Sequence, residues 1–125
     1  YLLKSFLQLI RDYWVILSIL LASFITFLSL TPLPELPVVP GSDKSHHFIA
    51  YSVLVFPLML KKPNYWLAIF ILFALMSGGI ELIQPYRNRY GEWLDLAANI
   101  GGLTCGSVIA YMINRCFPAT KTYTN

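Results

Sequence analysis

The sequence predicts an all-α, polytopic membrane protein: four transmembrane helices in a small bundle, joined by short loops. Three observations carry that prediction. Of 125 residues, 57% are hydrophobic and 12% charged, against about 45–50% and about 25% in soluble domains. Three long apolar runs, Tyr13–Leu30, Tyr65–Ile83 and Leu96–Ile113, carry only one charge among them, Glu81. Each nearly matches the roughly 20 helical residues that cross a hydrocarbon core of about 30 Å. Aromatic residues make up 15% of the chain and gather near the ends of these runs, where rings favour the bilayer interface.

The helices are expected at about 12–31, 43–61, 64–84 and 92–115, within one domain covering 1–125. Tyr13–Leu30 is preceded by Lys4 and Arg11. It is longer than the roughly 7–15 residues of a signal-peptide core, and Ser29-Leu30-Thr31-Pro32 does not resemble a small-residue cleavage site, so it reads as a retained anchor. Thr31–Ser42 holds Pro32, Pro34, Pro37, Pro40 and Gly41. Prolines remove backbone donors, so an extended loop is expected. Ser42 or Asp43 can accept backbone N–H bonds and start the next helix. The second run, Phe48–Leu60, is the shortest and becomes a span only when extended back through Ser45, His46 and His47, with Pro57 as a kink. Lys61-Lys62-Pro63-Asn64 reads as a tight turn into the third run, and Arg87-Asn88-Arg89-Tyr90-Gly91 as the loop before the fourth.

Cys105 and Cys116 lie eleven residues apart on one expected helix. That separation is about 16 Å along the axis, too far for a disulfide, so both read as small apolar packers. The charge of +3 is modest and dispersed, which excludes the basic stripe of a nucleic-acid-binding protein. No internal repeat and no phosphate-binding, dinucleotide or nucleophile-elbow motif occurs.

Lysine and arginine accumulate on the cytoplasmic side of membrane proteins. With four spans, one side carries Lys4, Arg11, Lys61, Lys62, Arg115 and Lys121, and the other Lys44, Arg87 and Arg89. Both termini are therefore expected in the cytoplasm, with the first and third loops outside.

One set of polar residues in the spans falls toward that outer side. Asp43 and His47 are four apart, with Tyr51 one turn deeper; Glu81 and Gln84 are three apart; Asp95, Asn99, Gly102 and Gly106 follow at i, i+4, i+7 and i+11. The last four share a stripe about 60° wide. Ionisable groups in a span normally turn inward and pair, so three helices would line one outward-opening polar pocket, with Lys44 and Arg89 at its rim. Glu81 is expected to be ionised against Arg89 or Lys44. Asp43 can cap its helix, and His47 can be a hydrogen-bonded structural residue or an acid/base group. Gly102 and Gly106 form a GxxxG, which lets helix backbones approach closely. Mixed oxygen and nitrogen ligands at these spacings, without an HExxH helix, do not specify a metal; no metal and no cofactor is expected.

These residues also carry a family resemblance. Asp43-Lys44-x-x-His47-Phe48-x-x-Tyr51, Glu81-x-x-Gln84 and Arg89-x-x-Glu92-x-x-Asp95-x-x-x-Asn99-x-x-Gly102-x-x-x-Gly106 resemble the VanZ-like family of bacterial membrane proteins, over Ser42 to Gly106. The third loop is shorter than in longer relatives. The resemblance implies the bacterial inner (cytoplasmic) membrane, a cell-envelope role and a link to resistance against the lipid-tailed glycopeptide teicoplanin; it implies no reaction. Three functions follow as expectations. The first is a non-enzymatic protein binding an amphiphile, a lipid head group, a lipid-linked cell-wall precursor or a lipoglycopeptide through Asp43, Lys44, His47, Tyr51, Glu81, Gln84, Arg89, Asp95 and Asn99. The second is a hydrolase or transferase on an outer-leaflet lipid, with His47 as general base beside Asp43 or Glu81. The third is a structural or partner-binding subunit. The sequence assigns no oligomeric state.

Overall fold

The computed structural model describes residues 2–31, 43–83 and 93–119, with the side chains of Asp43, Lys44 and Trp93 outside that description. The described residues form five α-helices and no strand: α1 (Leu2–Asp12), α2 (Trp14–Leu30), α3 (Asp43–Lys61), α4 (Trp66–Ile83) and α5 (Trp93–Cys116).

The helix expected at about 12–31 is present as α2, and the structure adds α1 before it. The chain bends by 75° between α1 and α2, at Tyr13. The cause is a change in side-chain pattern. On α1, Leu2, Leu3, Phe6, Leu7, Leu9 and Ile10 alternate with Lys4, Gln8, Arg11 and Asp12, whereas α2 is uncharged throughout. An amphipathic helix suits a membrane surface, and an apolar one suits its interior.

By length and composition, α4 and α5 can each cross a membrane, and α1 with α2 make a third span if the bent pair is counted as one. Their outward faces agree: Leu20, Phe24, Phe27, Leu72, Leu75 and Met112 are all exposed. An apolar surface this continuous is unusual on a soluble monomer and is what lipid chains require. These features point to a helical membrane protein with two or three candidate spans.

The most polar long helix, α3, lies at the centre and contacts each of the other four, with its largest interface to α5. Tyr51, Leu54, Val55, Leu58 and Leu60 on α3 are buried, as are Phe73 on α4 and Leu103 and Ala110 on α5. Neighbouring helices thus cover the middle and last turns of α3. Pro57 lies inside α3. The helix ends at Lys62, whose φ of 48° puts it in the left-handed conformation common just past a helix end; its N–H donates to the Leu58 carbonyl at 2.7 Å. Pro63 then prevents continuation.

Two glycines set the closeness of α3 and α5. A Cβ on Gly102 would strike the Phe48 carbonyl oxygen, and one on Gly106 would strike the Ser52 carbonyl and lie 2.6 Å from Val55 Cγ1. The Ser52 hydroxyl lies 2.9 Å from the Phe48 carbonyl and 3.0 Å from that of Gly102, so it bridges the two backbones. Gly78 and Gly79 have open space where a Cβ would stand. Cys105 and Cys116 are both free thiols.

The end of the bundle where α3 and α5 begin is called the head below, and the opposite end the base. At the base, Trp14 and Tyr65 meet with ring centroids 6.2 Å apart, and the Lys62 ammonium lies 5.7 Å from the centre of the Trp66 ring. Arg11 of α1, buried despite its charge, donates to Asn114 Oδ1 at 2.7 Å and to the Phe117 carbonyl. Asn114 Nδ2 donates to the carbonyls of Met59 and Leu60 at 3.2 and 3.1 Å. One arginine and one asparagine thus tie α1 to the last turns of α3 and α5. Those carbonyls have no partner within their own helices, and a cation there is favoured by the helix dipole. Desolvation pulls the Arg11 guanidinium below its usual value, with Asp12 acting in the opposite direction.

Candidate functional site

At the head, α3, α4 and α5 each present one polar pair spaced by a single turn. The pairs are His47 and Tyr51 on α3, Ser77 and Glu81 on α4, and Asp95 and Asn99 on α5. Because α4 runs opposite to α3 and α5, its deeper member comes first in sequence. The six side chains therefore stack in two layers. The upper layer is His47, Glu81 and Asp95, each with a nitrogen or oxygen atom within 4.8 Å of the other two. The lower layer is Tyr51, Ser77 and Asn99.

Burial is nearly complete. Tyr51 is 2% exposed, Ser77 0%, Asp95 3% and Asn99 1%, His47 is close to them, and Glu81 is half-buried. The lower layer is closed on one side by a hydrogen bond, Asn99 Nδ2 donating to Ser77 Oγ at 2.8 Å. On the other side, the Tyr51 hydroxyl faces Ser77 and Glu81 without completing a hydrogen bond of good geometry. The Asn99 carbonyl oxygen has no hydrogen-bond partner among the described residues. In a packed interior such acceptors are uncommon, and each costs about 1–3 kcal/mol.

Helix geometry explains why this sequence assembles the cluster. Residues i and i+4 lie on the same helix face, so each pair forms a short polar strip at the head end of an otherwise apolar helix. Turning the strips toward one another removes them from lipid. Gly102, one turn below Asn99, lets α5 sit against α3 at Phe48, the residue after His47. The close approach and the cluster are therefore parts of one contact.

Of the residues singled out in the sequence, the structure brings together His47, Tyr51, Glu81, Asp95 and Asn99. Gln84, Arg87 and Arg89 lie outside the described residues, as do the side chains of Asp43 and Lys44. Ser77 was not among the expected residues, although its place four before Glu81 marks it. Ser52 also went unnoticed, because a serine one turn from Phe48 on an apolar helix carries no signal until the glycine opposite is known.

Chemically, the upper layer offers one imidazole and two carboxylates at close quarters in a medium of low dielectric. Two carboxylates so placed repel unless a shared proton or a cation lies between them. The arrangement can bind a cation, receive donors such as hydroxyls and amides, or pass a proton between imidazole and carboxylate. A wide apolar groove lies elsewhere. A space of about 930 Å³ between α1, α2 and the lower half of α3 is lined by Phe6, Leu9, Leu20, Phe24, Phe56 and other apolar residues, with the Tyr13 phenol its one polar side chain. It contains no member of the cluster.

No family model matches the chain, and no curated protein or solved structure matches it either.

Proposed function

We propose that the chain is a four-span protein of the bacterial inner membrane, with both termini cytoplasmic, whose head takes up the polar head group of an outer-leaflet amphiphile such as a lipid or lipid-linked cell-wall precursor. The observation that carries this reading is the two-layered cluster of six polar side chains held between three helices at one end of the bundle. A protein that needed only to hold these helices together would be served by apolar contacts, because buried polar groups are costly in lipid. The carboxylates, imidazole and amide would receive hydroxyl and amide donors of a sugar or peptide. Lys44 and Arg89, close in sequence to this end, would take anionic groups through charge-assisted hydrogen bonds.

Orientation follows from charge. The base side carries Lys4, Arg11, Lys61, Lys62, Arg115 and Lys121 against Lys44, Arg87 and Arg89 on the head side, and the richer side is cytoplasmic. The fourth span is α3, whose 19 residues reach about 28 Å at 1.5 Å per residue. The VanZ-like motif pattern agrees with an envelope role, including teicoplanin-type glycopeptide resistance.

The test is untargeted lipidomics of a deletion strain complemented with the wild-type chain or with His47→Ala. Deletion should shift the abundance of one amphiphile class, wild type should restore it, and His47→Ala should not. Restoration by His47→Ala would end the head-group reading. A second reading, an enzyme acting on such a lipid, draws on His47 standing beside two carboxylates, the arrangement of a general base. It predicts that a chemically altered product, rather than a redistributed lipid, disappears in the deletion strain.

A further inference from the structure

We infer that His47, Glu81 and Asp95 form a binding site for one divalent transition-metal cation of the zinc or manganese type. The donors come from three different helices, and all lie within 4.8 Å of one another. Ligands about 2.1 Å from a tetrahedral metal stand about 3.4 Å apart, so each donor would close in by up to about 0.8 Å to share one ion. Two carboxylates and an imidazole are ligand types that a divalent transition metal accepts. The donor types narrow the metal. Imidazole with carboxylates fits zinc, manganese or iron, whereas magnesium and calcium favour oxygen throughout.

An independent observation beneath the cluster points the same way. Asn99 is 1% exposed, and its amide nitrogen is fixed on Ser77, one turn below Glu81. The side chain thus lies across the floor of the site, with its carbonyl oxygen a buried acceptor that has no hydrogen-bond partner among the described residues. Three protein ligands leave at least one coordination position for water. A metal-bound water is a donor with two hydrogens, and the Asn99 carbonyl is an acceptor in need of one. The same open position would admit a phosphate or carboxylate oxygen of a ligand. The site does not depend on the amphiphile reading, because metal retention is measured with no lipid or cell-wall precursor added.

The full chain, purified in detergent and stripped with EDTA, is titrated with zinc, manganese, magnesium or calcium chloride alone. Calorimetry and elemental analysis read affinity and stoichiometry. The expected result is one zinc or manganese per chain, with a raised melting temperature. His47→Ala and Asp95→Asn should each weaken binding by more than about tenfold, while His46→Ala and the double variant Cys105→Ser, Cys116→Ser leave it unchanged. Cobalt provides a readout independent of folding yield, because its visible absorption reports nitrogen and oxygen ligation and should be lost on His47→Ala in the material that remains folded. Stoichiometric binding that survives His47→Ala and Asp95→Asn would overturn the assignment. So would a preference for magnesium or calcium, or no uptake of any of these ions.

Discussion

At the base of the bundle, Asn114 spends both arms of its amide: the oxygen accepts from Arg11, and the nitrogen reaches two carbonyls at the end of α3. At the head, Asn99 spends only one, on Ser77, and its carbonyl oxygen stays buried without a hydrogen-bond partner. The two asparagines lie on the same helix, four turns apart, and both face α3 or its neighbours. The base joins a cation to carbonyls and a neutral amide, with both arms of Asn114 used, although Arg11 Nε is buried without a hydrogen-bond partner among the described residues. The head gathers two carboxylates and an imidazole within 4.8 Å of one another, above that amide oxygen. Buried polarity fastens the helix ends at the base, while at the head it concentrates ionisable groups between three helices.

The part of the chain between these ends gives the largest expected effect, because neither end can form unless α3 and α5 touch. Gly102→Leu or Gly106→Leu drives a side chain into the backbone at Phe48 or Ser52. Overpacking of this kind costs about 3 kcal/mol, and more where backbone must move. Both variants should accumulate poorly and melt early in detergent. Gly78→Ala, where a Cβ meets nothing within 4 Å, should behave as wild type. Equal behaviour of Gly102→Leu and Gly78→Ala would mean that α3 and α5 do not approach this closely.

The next effect belongs to the base. Asn114→Ala removes the acceptor for Arg11 and the donor for two carbonyls, leaving a buried guanidinium with one partner fewer. About 2 kcal/mol of stability should be lost. Adding Arg11→Met should recover part of that loss, because the surviving charge is then also gone. A double-mutant cycle on melting in one detergent measures it. Strictly additive losses would show that the two residues are not coupled and would remove the contrast between the ends.

Much of the head is visible in the sequence because helical periodicity is simple. Asp95, Asn99, Gly102 and Gly106 fall on one stripe, and a histidine and a tyrosine one turn apart mark the opposing helix. The all-helical class follows from apolar runs in the same way. Ser77 was missed for a physical reason: a lone serine in an apolar span usually bonds its own helix backbone, and only the position of Asn99 gives it another partner. The bend at Tyr13 and the helix before it were missed because the first helix was begun at about residue 12, where the uniformly apolar run starts, and the amphipathic pattern of Leu2–Asp12 was left without an element. Arg11 was counted only as a loop charge; its bonds to Asn114 and Phe117, more than a hundred residues away, leave no local trace.

The smallest expected effect is the one that separates the two ends most sharply. Asp95→Asn keeps the size and shape of a side chain that is 3% exposed and removes one negative charge. Two contributions oppose each other. Asp95 sits in the first turn of α5, where the helix dipole favours an anion by about 0.3–1 kcal/mol, and that is lost. Against it stands repulsion from Glu81 across no more than 4.8 Å, roughly 3 kcal/mol at an effective dielectric constant of 20 when both groups are ionised, and that is relieved. A proton shared between the carboxylates, or a cation from the neighbouring loops, lowers the second figure, so the net change should stay within about 1 kcal/mol of zero. In EDTA, Asp95→Asn should therefore melt at or slightly above wild type, opposite in sign to Asn114→Ala. The decisive comparison is thermal unfolding of the two variants and wild type in one detergent at fixed pH. A loss for Asp95→Asn as large as that for Asn114→Ala would mean that the head is as self-sufficient as the base, and that its carboxylates are there to hold helices together.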